Sequence, residues 1–257
     1  MARSGVAVAG FSTRHEGVSR PPYNTLNLGS NTLDLPHAVE GNRSILARSL
    51  GSTPEMLVSV NQVHGVDLLV INSPNPDYSH FHKLECDGIV CSVPGVLVGV
   101  TVADCAPVLL LDPVKKVAAA LHAGWKGTAA NICRKGVEAM VTVFSCDPHD
   151  ILAGVGPAIG PCCYQVDQPV LAALAKSGYD RFATPDGDGK WRLDLAEANV
   201  AQLLDAGLKE GNIERSGVCV SCTPDLYFSY RRDDGDTGRQ MGFIMLKPER
   251  KGKKPRR

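Results

Sequence analysis

Charge of one sign is what this 257-residue chain lacks: 27 Lys and Arg stand against 27 Asp and Glu. Without a basic excess there is no electrostatic footprint for a phosphate backbone, which excludes nucleic acid as the main partner. Long apolar runs are missing too. Gly and Asp interrupt Val96–Asp112 repeatedly, and no stretch is long enough to span a bilayer, so no membrane partner is expected. A secretory signal is also lacking. Met1-Ala2-Arg3-Ser4-Gly5 leads into a short apolar stretch that ends at Phe11-Ser12-Thr13-Arg14, too short for a signal core followed by a cleavage site. The nine cysteines are an odd number, and free thiols in a reducing cytoplasm are the natural expectation. Repeats, low-complexity segments and linkers are absent before the C-terminus. A single domain over 1–246 is therefore expected, followed by a solvated tail over 247–257, where seven basic residues face one acidic residue.

What is present is a substantial apolar fraction, 44%, enough for a core without cross-links. Val6–Phe11 reads as a first strand, and Ser12–Ser30, rich in turn formers, as a long loop. Val39–Leu50 has helical spacing, stopped by Gly51. Met56–Val60, Val66–Ile71 and Asp87–Val93 read as strands around a loop over Ser73–Glu85. Val98–Ala103, Pro107–Asp112 and Val117–Leu121 read as successive strands, the last two joined by the turn signal Asp112-Pro113-Val114-Lys115-Lys116. A helix is predicted from about Thr128 to Phe144, a strand over Ile151–Val155, helices near Gln168–Lys176 and Leu195–Ala206, and strands over Ser216–Val220 and Met241–Leu246. The order is not a regular alternation of strand and helix, so an α+β, mixed-sheet domain is favoured over a doubly wound one.

Three phrases carry ligand-grade side chains beside glycine or proline: Asn61-Gln62-Val63-His64-Gly65, Ala103-Asp104-Cys105-Ala106-Pro107 and Leu121-His122-Ala123-Gly124-Trp125. Two imidazoles and a thiolate make a three-ligand zinc set with a fourth position open. Folding back the Pro107–Leu121 hairpin brings His122 beside Cys105; spacing does not bring His64 there. The plain alternative is a buried cysteine and two satisfied histidines. A second alternative is a Cys105–His122 nucleophilic dyad, which needs an orienting partner and an oxyanion hole but has no use for His64.

Other residues are open to two readings. The amides of Gly124 to Gly127, with Lys126, would suit an anion at a helix start. Arg43 is either an exposed ion-pair residue or a functional cation. Arg231, Arg232 and Arg239, mixed with aspartates around Gly235, form either a loop-holding network or a polyanion clamp. Asp87 and Asp104 are the carboxylates best placed for acid–base work or to support the site; on a regular strand Asp104 would face away from Cys105, which favours a structural role unless the strand has already ended. Cys162 and Cys163, being adjacent, are poorly suited to pair with each other. Cys219 and Cys222 form a C-x-x-C that is either redox-active or half of a structural zinc site, and no second such pair accompanies it.

The three phrases, together with Gly156-Pro157-Ala158-Ile159-Gly160-Pro161-Cys162-Cys163-Tyr164, the Arg231-to-Arg239 segment, Tyr23-Asn24-Thr25-Leu26-Asn27-Leu28-Gly29 and Gly41-Asn42-Arg43, resemble the YfiH-like family, also called the laccase-domain or polyphenol oxidase family. The matches run in order from about Thr13 to Ile244. The resemblance implies a single mixed α/β domain, monomeric, with one zinc per chain held by His64, Cys105 and His122. It also implies a purine nucleoside phosphorylase acting on adenosine, inosine and methylthioadenosine, with adenosine deaminase activity at the same site. Its partners would be a small nucleoside and phosphate. Arg43 is the residue matched to phosphate, and Asn27, Gln62, Gly124, Trp125 and Lys126 fall in motifs expected to contact substrate. Some members of the family are described as oxidising phenols with copper, some as editing cell-wall peptides. The fold also resembles a cysteine–histidine deamidase domain.

One departure stands out. Where the family usually has two glycines this chain has Glu16-Gly17, and only glycine reaches positive φ without cost. Seven histidines, with no His-x-His except His80-Phe81-His82, do not comfortably furnish a mononuclear and a trinuclear copper site together. Copper nevertheless fits the same His, Cys and His donors as zinc. The H-x-E with P-C-x-x-C pattern of the nucleobase deaminases is missing.

Overall fold

The computed structural model describes residues 5–75 and 77–248. All of the expected basic tail except Lys247 and Pro248 lies outside the described residues. The elements are, in order, β1 (Ala7–Phe11), α1 (Pro36–Ser49), β2 (Leu57–Val58), β3 (Leu68–Ile71), β4 (Gly88–Cys91), β5 (Leu97–Val102), β6 (Ala106–Asp112), β7 (Val117–Ala123), α2 (Trp125–Ala129), α3 (Ile132–Phe144), β8 (Leu152–Val155), β9 (Gln165–Asp167), α4 (Gln168–Ala175), β10 (Ala183–Pro185), β11 (Lys190–Leu193), α5 (Leu195–Asp205), β12 (Ile213–Arg215) and β13 (Gln240–Leu246).

The continuous apolar runs of β5 to β7 become strands buried on both faces, and the alternation within them decides what each face meets. The large sheet has the order β12-β8-β6-β7-β4-β3 and is mixed, with β12/β8 and β3/β4 parallel. Leu109, Leu111, Ala118 and Ala120 on one face pack against Val98, Val100 and Ile244 of a second sheet, ordered β1-β13-β5-β2. Val108, Leu110, Ala119 and Leu121 on the opposite face pack against Ile132, Val137 and Met140 of α3 and Leu195, Ala198 and Leu203 of α5. The outer face of the second sheet, through Leu97, Met241, Phe243 and Met245, is covered by Leu46 and Ala47 of α1 and by Leu26 and Leu28 of the long N-terminal loop. The result is a layered helix–sheet–sheet–helix sandwich, the mixed α/β architecture expected. A small third sheet, β10-β11-β9, lies outside these layers in the pairing order.

Differences from expectation have local causes. β5 and β6 were read as successive strands, yet they belong to different sheets, and the chain crosses between them at Ala103–Cys105. The single helix expected over Thr128–Phe144 starts at Trp125 and breaks at Asn131, which sits in the left-handed region with φ 65°. The break is tolerated because α5 supplies partners: Gln202 Nε2 donates to the Thr128 carbonyl at 2.6 Å, and the Cys133 amide donates to Gln202 Oε1 at 3.2 Å. The strand expected over Ser216–Val220 lies earlier, at β12, paired with β8; Cys219 makes only an isolated bridge with Ala158. β9, β10 and β11 were unforeseen, being short and too polar to show alternation.

Candidate active site

The crossing between the sheets sets the first ligand. Asp104 takes φ 88° at the turn. Its carboxylate accepts from Ser229 Oγ at 2.6 Å and from the Arg231 amide at 2.6 Å. Asp104 therefore anchors the segment that brings Arg231 to the site, while the next residue, Cys105, is left at the mouth of the crossing.

His122 arrives through the hairpin. Asp112 closes the turn by accepting the amides of Val114 and Lys115, each at 2.8 Å, and the resulting register sets Pro107 opposite His122. The second histidine comes from the Asn61–Gly65 turn, where His64 adopts φ 60°. One carboxylate holds both. Asp87, fully buried, accepts the amides of Val63 at 3.2 Å, His64 at 2.9 Å and Gly65 at 2.6 Å. It also accepts from His122 Nδ1 at 2.8 Å. Burial alone would raise the Asp87 carboxyl; the bond from His122 and the amides of Gly65 and Val63 outweigh it and hold Asp87 ionised. An ionised acceptor makes Nδ1 of His122 the protonated nitrogen and leaves Nε2 as its ligand atom.

The ligand atoms of His64, Cys105 and His122 all lie within 4.8 Å of one another. The imidazole rings meet edge to face, centroids 4.8 Å apart. A Cβ on Gly124 would fall 3.0 Å from Cys105 Sγ and 3.1 Å from His64 Cδ2, so the glycine after His122 is required by the convergence itself. Burial pushes the Cys105 thiol up, but His122 and then His64 outweigh it and the net shift is downward. His122 is pushed down by burial and up, on balance, by Cys105 and Asp87. A soft thiolate and two imidazoles, one braced by a carboxylate, are donors suited to a single divalent transition metal. Only two of the seven histidines take part, and among the described residues no further histidine cluster of the kind a trinuclear copper site needs is present.

The triad opens onto a cavity of about 500 Å³ whose walls include three arginines, Arg43, Arg231 and Arg239. Arg43, on α1, donates to the Leu28 carbonyl at 3.3 Å and Ser59 Oγ at 2.8 Å. No carboxylate pairs with it among the described residues, and burial brings its guanidinium down to about 10. Arg239 donates to the carbonyls of Thr237 at 2.7 Å and Gly238 at 2.9 Å, with its guanidinium 5.5 Å from the Tyr230 ring centre. Arg231 donates to the Gln165 carbonyl at 2.9 Å and lies 5.3 Å from the Tyr164 ring centre. Arg232, by contrast, is tied to Asp233 at 2.7 Å. Arg232 thus belongs to a loop-holding network, while Arg231 and Arg239 line the cavity and bond to carbonyl oxygens.

Other candidate residues fall elsewhere. Asn27 is fully buried and does not line the cavity. Its amide is occupied by Thr32, Asp34, Gly29 and the Arg239 amide, so it braces the wall rather than touching the space inside. Gln62 lines the cavity, but both ends of its amide are bonded to Thr101. Gly124, Trp125 and Lys126 are not among the lining residues either. Lys126 is exposed over the Trp125 ring, and α2 is a single short helix. Tyr164, Tyr230, Ser59 and Asn31 join the cavity without having been singled out. Ser59 had one signal, a lone hydroxyl at the end of an apolar strand.

Known proteins are similar to this chain in sequence and fold. The family model described as multi-copper polyphenol oxidoreductase laccase matches residues 8–247. Purine nucleoside phosphorylase YlmD of Geobacillus stearothermophilus is 38% identical over 251 residues, covering 95% of this chain and 91% of that protein. A purine nucleoside phosphorylase of Deinococcus radiodurans is 42% identical over 242 residues, covering 94% of this chain and 90% of its own length. The crystal structure of the Geobacillus YlmD superposes with a TM-score of 0.90 at 36% identity, covering 96% of this chain and 94% of that one. With sequence and fold in agreement over nearly its whole length, this chain belongs to the YfiH-like, laccase-domain family.

Proposed function

We propose that the chain is a purine nucleoside phosphorylase working in the arginine-walled cavity. The observation that carries the reading is Arg43: a half-buried guanidinium, bonded to neutral oxygens and with no carboxylate partner among the described residues, lining the same cavity as the His64–Cys105–His122 triad. A half-buried cation left unpaired by the protein is best matched by an anion from outside. Inorganic phosphate is that anion, and relatives named purine nucleoside phosphorylases support it. A cavity of about 500 Å³ suits a nucleoside with phosphate.

The chain's residues divide the work as follows. Arg43 and Ser59 hold phosphate, with Arg231 and Arg239 spreading its charge. Tyr164 and Tyr230 offer ring faces to the planar base. A phosphate oxygen forms the bond to the ribose C1′ as the C1′–nitrogen bond breaks, and the base leaves with that electron pair and takes up a proton. A divalent zinc held by His64, Cys105 and His122 would supply Lewis acidity beside the cavity. Asp87 keeps His122 in the ligand tautomer. Deamination of adenosine at the same site belongs to this reading as its finer part, since it requires the triad but not the phosphate cations.

The test is product analysis. Purified protein is incubated with adenosine, inosine and methylthioadenosine, with and without phosphate. Free base should form only with phosphate, together with ribose 1-phosphate from adenosine and inosine and methylthioribose 1-phosphate from methylthioadenosine. Arg43→Ala should lower phosphorolysis by roughly 100-fold. Adenosine deamination should fall much less. Equal loss of both activities would remove Arg43 from phosphate binding.

A specific observation supports one other reading. Asp87, His122 and Cys105 lie in the order carboxylate, imidazole, thiol, and Asp87 is the orienting partner that a Cys–His hydrolase needs. His64 has no part in that chemistry, which makes His64→Ala the discriminating variant.

A further inference from the structure

Away from the cavity triad, four cysteines from two loops converge. Cys162 and Cys163 sit in the turn after Gly160, and Cys219 and Cys222 lie at the start and end of a second turn. All four Sγ atoms lie within 4.8 Å of one another. Cys222 Sγ is 3.5 Å from Cys162 Sγ and 3.3 Å from Cys163 Sγ. We propose that Cys162, Cys163, Cys219 and Cys222 bind a second zinc ion as a closed, four-thiolate structural site. This proposal is independent of the phosphorylase reading.

The geometry fits one ion. Four zinc–sulfur bonds of about 2.3 Å place tetrahedral sulfurs roughly 3.8 Å apart, close to the spacing found here. An iron–sulfur cluster needs room for several irons and sulfides between its cysteines, which sulfurs this close do not leave. A disulfide joins two sulfurs and gives no reason for four to gather. Adjacent cysteines would face opposite ways on a strand; here a turn, closed by the Cys163 amide at 2.9 Å and the Tyr164 amide at 2.9 Å on the Gly160 carbonyl, turns both to one side. The Gly160 amide donates to Cys219 Sγ at 3.2 Å, a bond that favours a thiolate there. Zinc binding would displace the thiol protons to solvent and change no oxidation state. With four protein ligands there is no open position, so the site is structural rather than catalytic.

Its role follows from what the two loops carry. Tyr164 follows Cys163 directly, and the chain beyond Cys222 leads to Tyr230 and Arg231, all of them cavity residues. The protein's own links between the loops are few: an isolated bridge with the Ala158 amide on the Val218 carbonyl at 3.3 Å and the Val220 amide on the Ala158 carbonyl at 3.0 Å, the Gly160 amide on Cys219 Sγ, and Arg231 on the Gln165 carbonyl. A zinc ion would staple the wall that bears Tyr164 to the wall that bears Arg231.

The experiment counts metal on the full-length protein. After equilibration with zinc and removal of excess, elemental analysis should find two zinc ions per chain, one for each cluster. The Cys219→Ser/Cys222→Ser variant should retain one, and so should Cys105→Ala. A wild-type protein with one zinc, unchanged in Cys219→Ser/Cys222→Ser, would overturn the proposal. Should that double variant not fold, Cys105→Ala loaded with cobalt(II) decides. Strong sulfur-to-cobalt charge transfer with tetrahedral d–d bands supports the site; their absence overturns it. A non-reduced wild-type mass lower by two hydrogens, with the lost pair mapped to these cysteines in zinc-loaded protein, also overturns it. None of these readouts depends on activity toward nucleosides.

Discussion

At the scale of single residues, the site depends on Asp87 more than its place behind the triad suggests. One buried carboxylate orients the His122 ring and holds three amides of the turn that presents His64. Asp87→Asn keeps the shape but removes the charge that fixes the His122 tautomer. Metal affinity should fall by roughly 10–100-fold, the usual cost of losing a partner behind a ligating histidine. Competition with a chromophoric chelator measures this, and an unchanged affinity would deny Asp87 the role. Glu16 is a residue with the opposite meaning. It sits exposed at φ 66°, a backbone region that favours glycine. Its neighbour Gly17 is the position no side chain can enter, since a Cβ there would lie 2.1 Å from the Thr25 carbonyl oxygen. The departure therefore falls where it costs backbone strain alone. Glu16→Gly should stabilise the protein by about 0.5–1 kcal/mol, the left-handed penalty less the extra entropy of an unfolded glycine. A higher urea midpoint at constant m would register the gain; an unmoved midpoint would mean the loop bears no strain.

At the scale of elements, the helices matter through what they brace. α1 bears Arg43 toward the cavity, and its buried Asn42 donates to Ser19 Oγ and the Asn27 carbonyl, each at 2.8 Å, fastening the long loop onto the helix. The break between α2 and α3 is held by α5, where Asn199 and Gln202 are fully buried yet bonded. In Gln202→Leu the Cys133 amide, at the orphan end of α3, loses its partner in an apolar setting. Stability should drop by about 1–3 kcal/mol, the cost of a buried unmet donor. Equilibrium denaturation provides the measurement, and a loss near zero would show that the break is held by other contacts.

For the whole molecule, the cavity triad joins layers that are already packed. Ligands come from the crossing between the sheets, the end of β7 and the turn before β3, while the apolar clusters on either side contain none of the three. Chelation should therefore leave far-UV dichroism intact and change only local chemistry. If the thiolate of Cys105 is a metal ligand, its alkylation by iodoacetamide should be slow in metal-loaded protein and many-fold faster after chelation. His64→Ala should release metal and abolish activity. A chelator-insensitive enzyme that tolerates His64→Ala and forms a covalent Cys105 adduct with substrate would instead be a cysteine hydrolase.

Much of this was legible before the chain was folded. Apolar runs located β5, β6 and β7. The Asp112 turn predicted their hairpin, and from that register alone His122 was expected beside Cys105, because antiparallel pairing converts sequence distance into opposition across a strand pair. Strand alternation did not apply to Asp104, because β5 ends at Val102; it sits in the crossing at φ 88°, lines the cavity, and braces the Ser229–Arg231 segment. Local pattern carries no information about which sheet a strand joins. β5 and β6 part at Cys105, β13 inserts between β1 and β5, and His64 is delivered by a turn far from either. Arg43 looked like any helical arginine until α1 packed against Leu28 and Ser59 with no carboxylate partner among the described residues. Cys162 and Cys163 seemed a poor pair, and Cys219-x-x-Cys222 half a site, until one bridge between distant loops brought all four together. Elements and neighbouring ligands follow from the period and register of the chain itself; the assembled cavity follows from contacts between residues far apart in sequence, which only the packing of the layers decides.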